Sequence, residues 1–190
     1  MAPAERNSMN ATTANPVSDR AHYGTEPRFS GAALALLRIG VAVLWMQNAA
    51  WKVPPDFGRD ADKGLFFWAT HAVDNPVFAP YSWFVETVFL PNIEIFGWGV
   101  LLAETALGAF LLIGLATRLW ALIGMAQTIA ITLSALNTPN EWHWSYYLML
   151  LAHVVLFATA AGRHFGIDGL LRPRWLASKR PLARVLVRAS

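Results

Sequence analysis

The chain has 190 residues and a formal net charge of +3, with 55% of residues hydrophobic and 14% charged, against about 25% charged in ordinary soluble domains. The length suits one domain. With no cysteine, a disulfide, a thiolate metal site, an iron–sulfur ligand set and a CxxC redox couple are excluded, and any electron chemistry must use a bound organic cofactor or a partner protein.

Residues 1–30 are polar, rich in Asn, Thr, Pro and Ala, and lack an apolar period. They read as a flexible tail, because they cannot bury enough surface to order themselves. No secretory signal is present, since the first hydrophobic run starts only after Ser30 and no A-x-A site closes it. Four long apolar stretches follow, at 31–51, 95–113, 119–136 and 144–161. Each reaches the ~18–20 residues that cross ~30 Å of hydrocarbon as a helix. Four such stretches in so short a chain argue against a soluble bundle and for an all-α, four-span antiparallel membrane bundle. The domain reading is a tail at 1–30, a membrane domain at 31–171 and a basic tail at 172–190.

Lysine and arginine set the expected orientation. Arg6, Arg20, Arg28, Arg118 and the seven bases from Arg163 to Arg188 fall on one side, and only Lys52, Arg59 and Lys63 on the other. The positive-inside rule puts both termini in the cytoplasm of a multi-pass protein of the cell membrane. The basic tail then lies against anionic lipid, and a nucleic-acid partner is not expected. The turns at 114–118 and 137–141 are short, so the last three spans are antiparallel neighbours. Between spans one and two, residues 52–92 form a long outer-side loop. It carries two aromatic clusters, Leu65-Phe66-Phe67-Trp68 and Phe78 to Phe84, and a short interfacial helix up to Pro91 would set these rings at the headgroups. A cap without chemistry and a lid over a site are both open. Glu141, Trp142, His143 and Trp144 at the outer edge read first as an aromatic belt.

Polar groups inside spans are costly, ~2.5–3.5 kcal/mol for a charge at a helix centre, and need partners. Arg38, Glu104, Gln127 and His153 each lie roughly 10–15 Å from the cytoplasmic end of their spans by helical rise. They read as one polar layer, with Arg38 and Glu104 as its ion pair. Helical spacing puts Arg38, Ala42, Trp45, Ala49 and Lys52 on one face of span one. It groups Gly97, Glu104 and Gly108 on span two, and Gly124, Gln127, Ile131 and Ser134 on span three. On span four it groups Trp142, Tyr146, Met149, His153 and Phe157. The layer is either a structural clasp fixing helix register or a site for a polar headgroup or a proton path. A quinone needs donors for two carbonyls, aromatic walls and a proton carrier, which Arg38, Gln127, His153, Glu104 and Trp45 could supply. Haem fits poorly, because His153 is alone deep in a span. No metal-ligand spacing, phosphate loop or nucleophile motif is present.

Arg38-Ile39-Gly40 leading to Trp51-Lys52 resembles the Arg…Gly…Lys pattern in the first span of the DoxX/DoxD family. Glu104, Gly108, Gly114 and Arg118 resemble that family's second-span signature, and Gly162-Arg163 with Gly166-Ile167-Asp168 its closing motif. The likeness covers residues 31–171, with a longer and more aromatic outer loop than in the shorter members. It implies a small four-helix membrane protein like the membrane subunit of thiosulfate:quinone oxidoreductase. Gly108, Gly114, Arg118, Gly162, Arg163 and Asp168 carry over as motif residues. The expected function is a quinone-interacting subunit of a membrane oxidoreductase acting on thiosulfate or another reduced sulfur donor. Quinone would be held by Arg38, Trp45, Glu104, Gln127 and His153, and an anionic substrate drawn by Lys52. The alternative is a non-catalytic accessory or assembly subunit of a respiratory complex. Expected partners are the bilayer, a redox protein or respiratory subunit, and a second copy of the chain.

Overall fold

A computed structural model describes residues 26–61 and 63–190, so the tail expected at 1–30 lies largely outside the described residues, as does Asp62. Helix α1 (Glu26–Ala50) starts within the stretch read as tail. It stops ahead of Pro54-Pro55, where rings without an N–H cannot continue a helix. Helix α4 (Ile93–Ile113) ends on Gly114, whose φ of 68° is left-handed, a conformation glycine adopts without a Cβ penalty. Helix α5 spans Thr117–Ala135 and α6 His143–Thr159. No strand occurs among the described residues.

Three of these helices are long and apolar enough to cross a membrane, α1 over Phe29–Ala50, α4 and α5. The fourth stretch is also an apolar helix, but α6 has 17 residues, or about 26 Å at helical rise, short of a full hydrocarbon core. Helix α1 packs most extensively on α4, and α5 on α6, with α4 against α5 and α1 against α6 completing the bundle. Its core joins Val41, Ala42 and Trp45 to Leu107, Leu111, Ala121 and Leu156. Gly108 sets the α1–α4 approach, since a Cβ there would lie 2.7 Å from Met46 Cγ. Large apolar side chains point outward all around it, among them Leu36, Leu102, Leu122, Leu148 and Leu151. That is the pattern of helices solvated by lipid.

The face expected on α1 is the buried one, since Arg38, Ala42, Trp45, Ala49 and Lys52 are all buried. The face expected on α6 is too long. His153 is buried, but Trp142 and Phe157 at its ends are exposed.

Residues 52–92 are not a loop. They hold a 3-10 turn (Arg59–Ala61), α2 (Gly64–Asp74), α3 (Ala79–Phe84) and a π-helical turn (Val85–Phe89). Ala69, Ala72 and Val85 form a second small core with Tyr81 and Phe89 around them. The cap is pinned to the bundle. Tyr81 donates to the Ala130 carbonyl at 3.1 Å and shares a 2.9 Å hydrogen bond with Ser134. Asn137 Nδ2 donates to the Pro76 carbonyl at 2.9 Å. Phe57, fully buried, sits on Gly97, where a Cβ would meet its ring. Of the rings that sequence alone suggested as headgroup anchors, Tyr81 therefore turns inward onto α5 and Trp68 lines the space beneath the cap, whereas Phe78 and Trp83 remain exposed. At the other end, α7 (Ile167–Ala177) and α8 (Pro181–Ala189) pack on each other, and α8 touches α5.

Candidate functional site

The polar groups of the bundle lie at three depths, and the expected Arg38–Glu104 pair does not form. Arg38 caps the far end of α4. Its Nη1 donates to the carbonyls of Leu111 and Leu112, the latter at 2.7 Å, and Nη2 to Phe165 at 3.3 Å. The cause is the left-handed stop at Gly114, which ends the i→i−4 ladder and leaves the Leu111 carbonyl only a 3.2 Å bond from the Gly114 N–H, at a helix end where the dipole favours a cation. Glu104 lies seven residues, or about 10 Å, further up α4.

The closing motif completes this knot at the end of the bundle away from the cap. Asp168 is fully buried, and its carboxylate accepts the backbone N–H of Ala116 at 2.7 Å and of Thr117 at 2.9 Å. The residue at the N-cap of α5 is Ala116, which has no side-chain acceptor of its own. Asp168 caps that helix from α7 instead, and its own N–H bonds the Gly114 carbonyl at 2.9 Å. Gly162 and Gly166 give this contact room, since a Cβ on either would strike Thr117, Asp168 or Gly114. Arg118 donates to the Phe157 carbonyl at 3.1 Å near the end of α6, and Arg163 to that of Ser190 at 2.8 Å.

At mid-depth, the Trp45 indole N–H donates to His153 Nε2 at 2.9 Å. His153 Nδ1 lies 2.7 Å from the Met149 carbonyl, which must accept. The imidazole is therefore the Nδ1–H tautomer, with both nitrogens engaged. Its ring packs against α5 at Gly124, where a Cβ would strike the ring's Cδ2 and Nε2. Trp45→Phe would leave Nε2 without a donor in an apolar core. We expect a loss of about 1–3 kcal/mol of stability, measurable as a lowered unfolding midpoint in detergent.

At the level nearest the cap, Lys52 Nζ lies 2.7 Å from Glu104 Oε2, and both side chains are buried. Asn48 Nδ2 donates to Glu104 Oε1 at 3.0 Å, and Lys52 also donates to the Asn48 carbonyl at 2.9 Å. Gln127 lies within hydrogen-bonding reach of the same carboxylate. The lysine stem folds back one turn along α1, with its ammonium 3.8 Å from the centroid of the Trp51 ring. Each buried charge thus has an opposite partner, as burial requires, while the ammonium and carboxamide groups keep N–H donors beyond those used in these contacts.

This cluster is one wall of a cavity of about 510 Å³ between α1, α4, α5 and the cap. Trp51, Trp68, Tyr81, Phe84, Phe89 and Phe96 supply aromatic walls, and Glu141 and Tyr146 lie at the α5–α6 turn. Tyr146 donates to Glu141 Oε2 at 2.8 Å. Burial pushes the Tyr81 phenol above its ordinary pKa, so it stands as a neutral wall. Of the expected site residues, Glu104, Gln127 and Lys52 line the cavity, whereas Arg38, Trp45 and His153 are packed into the bundle beneath it. Sequence reading missed Asn48, although it lies one turn before Lys52 on the same helix. It also missed the inward rings of the cap, which follow no single helical period.

A cavity of this size with flat apolar walls and a few converging polar groups is the form of a small-molecule site. Its donors, one ammonium and two carboxamides, suit a ligand with carbonyl oxygens. Its carboxylate can hold a proton beside them.

A family profile described as TQO small subunit DoxD matches residues 76–187, more than half of the chain. Neither a curated protein sequence nor a solved structure matches it.

Proposed function

The chain belongs to the TQO small subunit DoxD family, and on that premise we propose that it is the quinone-handling membrane subunit of an oxidoreductase that draws electrons from thiosulfate or another reduced sulfur donor. In this reading α6, extended by the 3-10 turn Ala161–Arg163, is a fourth crossing of a cell-membrane bundle. The excess of basic residues at its Arg118, Arg163 and α7–α8 end supports a cytoplasmic position for that end.

The observation that carries the proposal is the cavity beside the Lys52–Glu104 pair. Quinone chemistry is acceptance of two electrons and two protons by a flat ring with two carbonyl oxygens. Aromatic walls fit the ring, and Lys52, Asn48 and Gln127 hold donors for its oxygens. Glu104 and Lys52 are paired at 2.7 Å, so a proton can move between them beside the ring oxygens while the pair stays net neutral. Electrons would arrive from a partner at the outer side, where Arg59 and Lys63 sit beside the cap.

Trp51 and Trp68 line the cavity, so binding can be read from tryptophan fluorescence in lipid nanodiscs. We expect saturable quenching by a short-tailed benzoquinone. Affinity should fall about tenfold when Asn48 and Gln127 are both replaced by Ala, the loss of about one net hydrogen bond. A titration with no saturable component would favour the accessory or assembly subunit. A mild-detergent pull-down should then recover a respiratory complex without bound quinone.

A further inference from the structure

The cavity changes chemistry from one end to the other. Phe96, Val100 and Glu104 are spaced four apart on α4, and all three line it. They form a ladder of two turns, about 12 Å long. Exposure falls down this ladder, from 36% at Phe96 through half-buried Val100 to 1% at Glu104. Across from Phe96 stands Phe84, also on the cavity wall and 37% exposed. The two rings meet edge to face at 6.2 Å, and Phe89 stacks on Phe96 at 5.5 Å.

The π-helical turn produces this grouping. Its Leu90 N–H to Val85 carbonyl bond spans five residues, and such a turn brings positions five apart onto one side of the chain. Phe84 and Phe89 thereby face the same ring of α4. The flanks outside them, Trp83 and Ile95, are exposed and apolar. A rim of this kind is unfavourable in water and suited to lipid.

We infer that the Phe84–Phe96 ring contact marks a lateral portal, where the two rings part to let the hydrocarbon tail of a membrane quinone lie between them while its ring sits at Lys52 and Glu104. The inference rests on the quinone reading of the cavity and deepens it, since it assigns the ligand to lipid-tailed quinones. The opposite end, at the Glu141–Tyr146 hydrogen bond, is polar and offers an alkyl chain no such passage.

The test compares two ligands with the same benzoquinone ring, one without a tail and one with a decyl tail, by tryptophan quenching in quinone-free nanodiscs. After correction for partition into lipid, the tailed ligand should bind at least about tenfold tighter to the wild-type chain. Val100→Trp, which narrows the ladder halfway, should remove most of that advantage, weakening the tailed ligand at least about fivefold more than the tailless one. Equal affinities in the wild type, or equal weakening of both ligands by Val100→Trp, would overturn the portal while leaving the headgroup site standing. No saturable binding of either ligand would overturn the quinone reading and the portal together. A decyl ligand with a diazirine at the tail end gives a check in the unaltered protein. Labelling between Trp83 and Val100 supports the portal. Labelling confined to the outward face of α6, at Leu148 and Leu151, refutes it and marks a tail lying in bulk lipid.

Discussion

Lys52→Ala should destabilise the protein by about 3–5 kcal/mol, the usual cost of leaving one partner of a buried ion pair uncompensated. Glu104 would remain with Asn48 at 3.0 Å and Gln127 as amide donors and no cation, buried in the wall of the cavity. The double variant Lys52→Met with Glu104→Gln separates architecture from chemistry. It removes both charges while keeping the volumes close, and the carboxamide introduced on α4 retains partners in Asn48 and Gln127. Its unfolding midpoint should recover to within about 1 kcal/mol of the wild type. Quinone binding should not recover, because the ammonium donor and the proton-holding carboxylate are both gone. Equilibrium unfolding in mixed micelles and the fluorescence titration read the two properties on the same samples. If the double variant is as unstable as Lys52→Ala, the pair is not the coupled unit that the 2.7 Å contact indicates. If it binds quinone like the wild type, the pair is architectural and the ligand is held elsewhere.

The all-helical fold was legible in the sequence because helical periodicity and hydropathy need no tertiary information. The α1 face shows this best, since Arg38, Ala42, Trp45, Ala49 and Lys52 repeat at three and four residues and all are buried. The pairing of charges was not legible. Depth counted from span ends put Arg38 and Glu104 in one layer, but a long side chain moves its charge several ångströms along the helix from its own Cα. Arg38 reaches toward the carbonyls at the end of α4 and Lys52 folds back down, so their charges lie at levels the backbone count does not report. The packing of the 52–92 segment was not legible for another reason, although a cap or a lid was among the readings the sequence left open. Its helices are short, its aromatic residues do not follow one period, and only the contacts with Ala130, Ser134 and Gly97 give them a direction. Seven of the twenty residues that line the candidate cavity were hidden with it. The motif glycines carried the reverse lesson. Gly114, Gly162 and Gly166 could be seen as a pattern, but their reason is the close approach of three chain segments at the Asp168 clasp.

That clasp supports the second large expected effect. Asp168→Ala should cost about 3 kcal/mol or more, since two buried N–H groups at the start of α5 lose a charged acceptor together. Arg38, on which Asp168 also acts electrostatically, would lose the nearest carboxylate at that end of the bundle. Asp168→Asn should be nearly as damaging. An amide offers one acceptor oxygen for two donors and turns an NH2 toward the second. Thr117→Val at the same spot should behave oppositely. The Thr117 hydroxyl is fully buried with no hydrogen-bond partner, so an isosteric methyl removes an unsatisfied group and should leave stability within about 0.5 kcal/mol or raise it. Unfolding midpoints of the three variants give the comparison. A large loss in Thr117→Val together with a small one in Asp168→Ala would mean that packing at this corner, and not the carboxylate cap, holds α5 to α7. The expected order instead makes Asp168 the residue that fixes the end of the bundle away from the cap. Its loss should lower quinone binding only as far as it lowers the folded fraction, because the cavity begins at Glu104, on the far side of the Trp45–His153 contact.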